Sequence, residues 1–395
     1  MTGEARAERQ EHLRHHIESI YDELTDGLRR SLRISELVYA AAARYPALVP
    51  TRAAIEAERQ RLQRDKLGLE IDQGIFVAHV LARPRTGLHL LHSMSQPRAE
   101  AVARLPEFQR LGSVDLGPMR VDRDGVIGHV TIQNHAFLNS EDDVSTGAME
   151  VAVDLVLLDD AIEVGVLRGG SATHPKYVGR RIFGSGVNLT HLYHGRISLI
   201  EFMLERELGL VSKMYRGHGV GEFDDDQMES RREKPWIAAV DTFAIGGACQ
   251  FLLVMDRVVA EAGSYFNLPA RKEGIVPGCA NLRLPRLVGE RLTRQAIFFN
   301  RAFAADSPEG RLLADEVVPG GEIARAIEQS AEELTSAGMT SLLANRKALR
   351  LGQEPLDVFR RYMSNYAREQ AYCLYSPALI DNLERNWDAK RRALC

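Results

Sequence analysis

Tryptophan is scarce in this chain, two in 395 residues, and the four cysteines, Cys249, Cys279, Cys373 and Cys395, show no paired spacing. That spacing excludes a zinc knuckle or a disulfide framework and leads us to expect a reducing, cytoplasmic setting. Charge of one sign is also lacking: the formal net charge is −4, so a dedicated nucleic-acid binder is not expected. There is no long apolar run, because "FLLVMDRVVA" is broken by Asp256 and Arg257, and "MTGEARAERQEHLRHH" at the N-terminus is polar throughout. Neither a membrane span nor a secretion signal is therefore expected. No HExxH, Cys cluster or His/carboxylate facial-triad spacing is present, so no metal is expected and the pairs His15/His16 and His191/His194 are read as surface or local hydrogen-bonding groups. The GxG of "FGSG" lacks the downstream pattern of a dinucleotide fingerprint, which argues against NAD or FAD.

What is present is ordinary for a soluble globular protein: 45% hydrophobic and 26% charged residues. The length suits one large domain with helical additions, or two domains. In residues 1–116 the pattern is helical. Ile17, Ile20, Tyr21, Leu24, Leu28 and Leu32 recur at spacings of three and four, Pro46 and Pro50 punctuate, and a second helical stretch runs from Thr51, a candidate N-cap, toward His79. The Arg and Glu residues of this part read as a solvated helix surface. Near residue 125 the period changes. "DGVIGHVTIQ" and "AIEVGVLRGG" alternate as strands do, with the amphipathic "GAMEVAVDLVLLDD" between them, and the pattern recurs in "KPWIAAVDTFAIGG", a helix to about Met255, "RVVAEAG" and "SYFNLPA". An α/β core over 117–330 with right-handed crossovers is expected, followed by a helical segment over 331–395. Residues 221–235, "GEFDDDQMESRREKP", are the most loop-like stretch and are expected to be mobile near the site.

Two glycine turns carry the chemistry. In "RRIFGSGVNLTHL" Gly184 and Gly186 flank Ser185 and lead to Val187; in "AIGGACQ" Gly246 and Gly247 open an apolar helix. Either alone is weak, since Gly at a strand-to-helix turn commonly serves backbone freedom. Their order with "FNLPARKEGIVPGCANLRLPRLVG" and "LLADEVVP" resembles the crotonase (enoyl-CoA hydratase/isomerase) superfamily across about 125–325. The resemblance implies a crotonase-like ββα spiral core, here with an N-terminal helical domain and C-terminal helices. It also implies an oxyanion hole in which two backbone N–H groups polarise an acyl-CoA thioester and hold its enolate; the matching positions are Val187 and Gly247. Such donors are worth roughly 3–4 kcal/mol each.

The departures are as telling. Where hydratases of the family carry their two acid/base glutamates, this chain has Gln250 and Ala270. Each such group contributes typically about 10²- to 10⁴-fold, so hydration is not expected. "ATHPKYVGRR", "HGRISL", "EKPWIAAVD", "LPARKEGIVPG", "ANLRLPR" and the helical extension resemble one branch of the superfamily far more closely. That branch is a cofactor-independent dioxygenase acting on a dihydroxyphenylacetyl-CoA thioester in antibiotic assembly. It implies acyl-CoA and O2 as substrates with no metal, flavin or NAD. It also implies recognition of the ring hydroxyls by Glu141, Arg206 and Gln250, and an apolar oxygen pocket of Val187, Ile275 and Val276. A positive Arg206 near the ring would favour phenolate or enolate character. Arg180 and Arg181 are candidates for the CoA phosphates, and a homo-oligomer, trimer or hexamer, is implied. The only slight departure from the glycine turn is Ala248, whose methyl should narrow the helix start.

Simpler roles stay open for these side chains. Glu141 can be a first-turn helix acid, Arg206 can pair with Glu205 or Glu207, Gln250 can satisfy a buried backbone group, and the apolar three can be core. Two other functions also stay open: a cofactor-free thioesterase or isomerase, with Gln250 orienting water and Glu273 recruited as a base, and a non-catalytic acyl-CoA-binding subunit.

Overall fold

The computed structural model describes residues 3–224, 231–392 and 394. Cys395 and residues 225–230, the middle of the stretch expected to be mobile, lie outside the described residues. The N-terminal part is helical as its periodicity requires: α1 (Gly3–Thr25), α2 (Ile34–Arg44), α3 (Arg52–Arg59), α4 (Leu69–Ala82), α5 (Pro84–Ser95) and α6 (Ala99–Leu111). Thr51 caps α3, accepting the Ala54 N–H at 3.3 Å. The helix expected from Thr51 to His79 is nevertheless two helices: α3 ends at Arg59, a connection with a 3-10 turn at Gln63–Asp65 follows, and Gly68, with φ 81°, precedes the start of α4. Likewise α1 stops short of Leu28, which has φ 70°.

The core follows the change of period. Strands β1 (Ser113–Asp115), β2 (Met119–Asp124) and β3 (Ile127–Ile132) form an antiparallel meander; α7 (Asp143–Leu158) then crosses to β4 (Val164–Gly169), parallel to β3. After α8 (Leu189–Tyr193), two π-helical segments (Leu199–Leu204 and Arg206–Val211) and α9 (Ser212–Arg216) come the short strands β5 (His218–Gly219) and β6 (Arg231–Arg232), which pair with each other. "KPWIAAVDTFAIGG" makes two strands, β7 (Trp236–Val240) and β8 (Phe243–Ile245), because the chain bends at Asp241–Thr242 and passes to another sheet. Next are α10 (Gly247–Leu252), shorter than its apolar run suggests, β9 (Arg257–Glu261), β10 (Tyr265–Asn267), α11 (Ala270–Glu273), α12 (Ala280–Phe299), β11 (Phe303–Ala304), β12 (Glu316–Val318) and helices α13 (Ile323–Thr335), α14 (Met339–Gln353), α15 (Leu356–Leu374) and α16 (Pro377–Trp387). Among the described residues one sheet runs β1-β2-β3-β4-β7-β9-β12, parallel from β3 onward, and a second runs β11-β10-β8.

Burial separates two large cores. One lies between the sheet and α7, α10 and α12; the other joins α1, α2, α4 and α5 to the π-helical segments and α15, with Ile75, Phe76, Leu204, Phe359 and Met363 all buried in it. The N- and C-terminal helices, far apart in sequence, thus share one apolar interior. Buried ions pin the C-terminal helices to the core: Glu354 accepts from Arg216, Arg283 and Arg286 at 3.0–3.2 Å. Burial opposes its charge, but these arginines hold its carboxyl down at about 2.

Candidate active site

Three short pairings bring the two glycine turns together. The Ile245 N–H donates to the Gly184 carbonyl at 3.0 Å, the Glu141 N–H to Gly186 at 2.7 Å, and the Asn188 N–H to the Glu141 carbonyl at 2.8 Å. Segment 184–187 therefore lies as an extended strip between Glu141 and β8, with bridges Gly184–Ala244 and Glu141–Val187. Gly186 has φ 79°, and a Cβ there would stand 2.9 Å from the Ile245 carbonyl oxygen and 3.1 Å from the Gly247 nitrogen. Only a glycine lets the two turns approach so closely. Among the described residues neither the Val187 nor the Gly247 amide donates to a backbone carbonyl. Gly247 opens α10, where N–H groups have no intrahelical partner. Ala248 does crowd the helix start: a Cβ on Gly184 would sit 2.8 Å from its methyl.

Val187 and Gly247 line an inner cavity with about 30 Å³ of free space, room for one or two water-sized guests. Its apolar wall includes Val187, Phe202, Met203, Ile275 and Val276; its polar wall is Glu141, Arg206, Glu207, Gln250 and Tyr366. The structure thus brings together Glu141, Val187, Arg206, Gly247, Gln250, Ile275 and Val276, all singled out from sequence. Val276 is held by its N–H, which donates to Gln370 Oε1 of α15 at 2.8 Å.

Arg206, on the second π-helical segment, organises the polar wall. Its Nε donates to Glu141 Oε2 at 2.5 Å, Nη1 to Glu207 Oε1 at 2.5 Å and Gln250 Oε1 at 3.1 Å, and Nη2 to the Gly247 carbonyl at 2.7 Å and Glu141 Oε1 at 3.4 Å. Burial opposes its charge, and Glu141 and Glu207 more than offset that cost. All five guanidinium N–H groups are engaged inside the protein. Arg206 accordingly sets the positions of Glu141 and Gln250 and offers no spare donor to a ring, and its charge is already compensated. This differs from the expectation of a cation acting on the substrate, since the pairing with Glu207 and the pairing with Glu141 occur at once. A glutamate at 250 would add a third carboxylate around this single guanidinium, whereas the amide accepts one bond through Oε1 and leaves its NH₂ directed elsewhere.

A second, outer cavity of about 560 Å³ adjoins the first. His174, Tyr177, Lys272 and Arg392 line it. Arg180 and Arg181, expected near the CoA phosphates, line neither cavity. Arg180 is exposed, and Arg181 donates to the Gly169 carbonyl at 3.1 Å, since the loop they share folds back on β4. His191 faces Asp142 at 3.3 Å, and His194 meets the Arg392 carbonyl at 3.0 Å.

Sequence reasoning missed Glu207 as part of the wall and Tyr366 altogether. Burial, then Glu207, pushes the Tyr366 phenol well up, so it stays protonated. Glu207 adjoins Arg206 in "LERELG", a usable signal; nothing local marks Tyr366, which reaches the site from α15.

Comparison with known proteins bears on the family and the fold. Residues 221–364 match the enoyl-CoA hydratase/isomerase family model. The chain is 48% identical over 378 residues, 95% of its length and 86% of the relative's, to (3,5-dihydroxyphenyl)acetyl-CoA 1,2-dioxygenase of Amycolatopsis orientalis. It is 25% identical over 243 residues, 61% of this chain and 84% of the relative, to a short-chain-enoyl-CoA hydratase of Clostridium acetobutylicum. Its fold matches an enoyl-CoA hydratase from Mycobacterium avium subsp. paratuberculosis with a TM-score of 0.55 at 18% identity, covering 68% of this chain and 98% of that one.

Proposed function

The chain belongs to the enoyl-CoA hydratase/isomerase family, and from that premise we propose that it is a cofactor-independent dioxygenase converting (3,5-dihydroxyphenyl)acetyl-CoA and O2 to 3,5-dihydroxyphenylglyoxylate and CoA. The observation that carries this reading is a pair of amides, Val187 and Gly247, with no backbone acceptor among the described residues, beside a cavity whose two hydratase carboxylate positions hold Gln250 and Ala270. The 48% identity to a dioxygenase of that substrate supports it.

The chemistry asks little more of the protein. The CH₂ is acidified by both thioester and ring, and its enolate oxygen accepts from the two amides. The electron-rich enolate passes one electron to O2, and recombination forms a C–O bond at the α carbon. The peroxide attacks the thioester carbonyl and expels CoA thiolate; loss of the second α proton as the O–O bond breaks leaves the arylglyoxylate. The α carbon gives up four electrons and O2 takes four, so no metal, flavin or NAD enters the balance. In the ring pocket, Glu141 accepts a hydroxyl proton and the Gln250 NH₂ donates to the other hydroxyl, while Arg206 holds both. A site built this way rejects rings lacking the hydroxyls by about 10⁴-fold or more. Lys272 and Arg392 of the outer cavity, in place of Arg180 and Arg181, are proposed to meet the CoA phosphates. A homo-oligomer, trimer or hexamer, is proposed as well; the half-exposed Phe298 and the exposed Phe299 at the end of α12 are apolar surface it would cover. A cytoplasmic setting is proposed too; Cys249, Cys279 and Cys373 are unpaired among the described residues, and among them no helix is long and apolar enough to cross a membrane.

The test is oxygen uptake by chelator-treated protein with free CoA followed in parallel. One O2 per CoA is expected; CoA release without O2 uptake would make the protein a thioesterase. Oxygen is expected against Val187, Ile275 and Val276. Ile275→Phe should therefore slow O2 uptake about tenfold or more and leave anaerobic exchange of the α protons with solvent unchanged. Equal loss of both would place Ile275 against the thioester instead.

A further inference from the structure

The oxygenation removes both α hydrogens, yet Gln250 and Ala270 are not bases. The polar wall proposed to meet the ring hydroxyls lines the inner cavity, which at about 30 Å³ must widen to admit a ring, and the CoA chain is proposed to leave through the outer cavity, so the thioester and its α carbon would lie at the junction. Two residues line both cavities: Val187 and Glu273. Val187 supplies an amide for the thioester oxygen, and the α carbon is the next atom along from the carbonyl carbon. We infer that Glu273 is the catalytic base that takes the α protons of the substrate, an inference that rests on the arylacetyl-CoA reading of this site.

The other acids of the inner cavity are unsuited to that work. Glu141 is bound through both oxygens to Arg206, and Glu207 accepts from Arg206 and from the Cys279 N–H at 3.2 Å. Both carboxylates are thus committed to partners within the wall. Glu273, by contrast, has no side-chain hydrogen bond or ion pair among the described residues. It ends α11, one helical turn after Ala270, so it reaches the site from the helix that begins at the missing glutamate's position. Burial pushes its carboxyl up to about 7, with Lys272 opposing, which suits a base working near neutral pH. The ionisable groups facing it across the inner cavity are Glu141, Arg206, Glu207 and Tyr366; across the outer cavity they are His174, Tyr177, Tyr265, Lys272 and Arg392. On the helices packed against α11, Arg283 is engaged with Glu354 and Glu384 with Lys390.

The balance closes. Glu273 takes the first α proton as the enolate forms and returns it to the departing CoA thiolate. It then takes the second as the O–O bond breaks and releases it to solvent with the product.

The experiment follows deuterium entry at the α carbon of (3,5-dihydroxyphenyl)acetyl-CoA without oxygen, in wild type and Glu273→Gln, alongside thioester affinity. Exchange should fall about 10²- to 10⁴-fold in the variant with affinity changed less than about threefold, because the amide keeps shape and removes only the base. In wild type the exchange rate should climb with pH through about 7 and level above it, the carboxylate being the active form; the climb should vanish in Glu273→Gln. Exchange within about threefold of wild type in the variant would overturn the assignment. Should Glu273→Gln not fold, the wild-type profile decides alone: a rate independent of pH between about 5 and 9 overturns it. Because the assay excludes oxygen, wild type that exchanges protons but consumes no O2 sinks the dioxygenase reading and keeps Glu273. Wild type that oxygenates, with Glu273→Gln exchanging normally, sinks Glu273 alone.

Discussion

Replacing Arg206 by leucine is expected to destabilise the protein by about 3–5 kcal/mol, the usual result of stripping the partner from buried charges, and to abolish turnover. Two carboxylates, Glu141 and Glu207, would lose a guanidinium that each meets at 2.5 Å, and both are nearly inaccessible, at 4% and 1% exposed. Denaturant melts would measure the loss. Adding Glu141→Gln and Glu207→Gln should recover part of the loss by removing the charges themselves. Lysine should not substitute, because its point charge cannot serve five acceptor directions. A deficit below about 1 kcal/mol would show that Arg206 does not hold these acids.

Gly186→Ala is expected to cost about 10²- to 10³-fold in kcat, roughly 3–4 kcal/mol of transition-state stabilisation. The methyl would stand 3.1 Å from the Gly247 nitrogen and 2.9 Å from the Ile245 carbonyl oxygen, at a φ of 79° that disfavours any side chain. Either the two turns part or the strip carrying Val187 shifts, and in both cases the amides no longer point at one oxygen. Anaerobic α-proton exchange and O2 uptake should fall together, unlike Ile275→Phe, which should affect oxygen alone. A loss of less than about tenfold, or ~1.4 kcal/mol, would mean that the two amides do not act on the same atom.

The parts of this protein that were legible in its sequence are those set by neighbours along the chain. Apolar spacing marked α1 and α7, alternation marked β3 and β4, and the two glycine turns marked where backbone amides would be left unengaged. Gln250 and Ala270 were visible as absences because their flanking motifs fix where a glutamate would stand. Legibility failed where the decisive partner is remote. The connection between Arg59 and Leu69 and the passage of β7 into β8 interrupt runs that look continuous. Arg180 and Arg181 seemed suited to phosphates by charge, but the path of their loop decides what they face.

By itself, then, the sequence determined the alternation of helix and strand, the glycine turns and the lack of hydratase carboxylates, because each depends on residues a few positions apart. Tertiary structure alone decided that Arg206 is spent on Glu141, Glu207 and Gln250, that Tyr366 and Gln370 of α15 reach the inner cavity and its Val276 wall, and that Glu273 stands with Val187 where two cavities meet. These contacts join segments far apart in the chain, and charge interactions depend on distance and burial, which no local pattern of residues records.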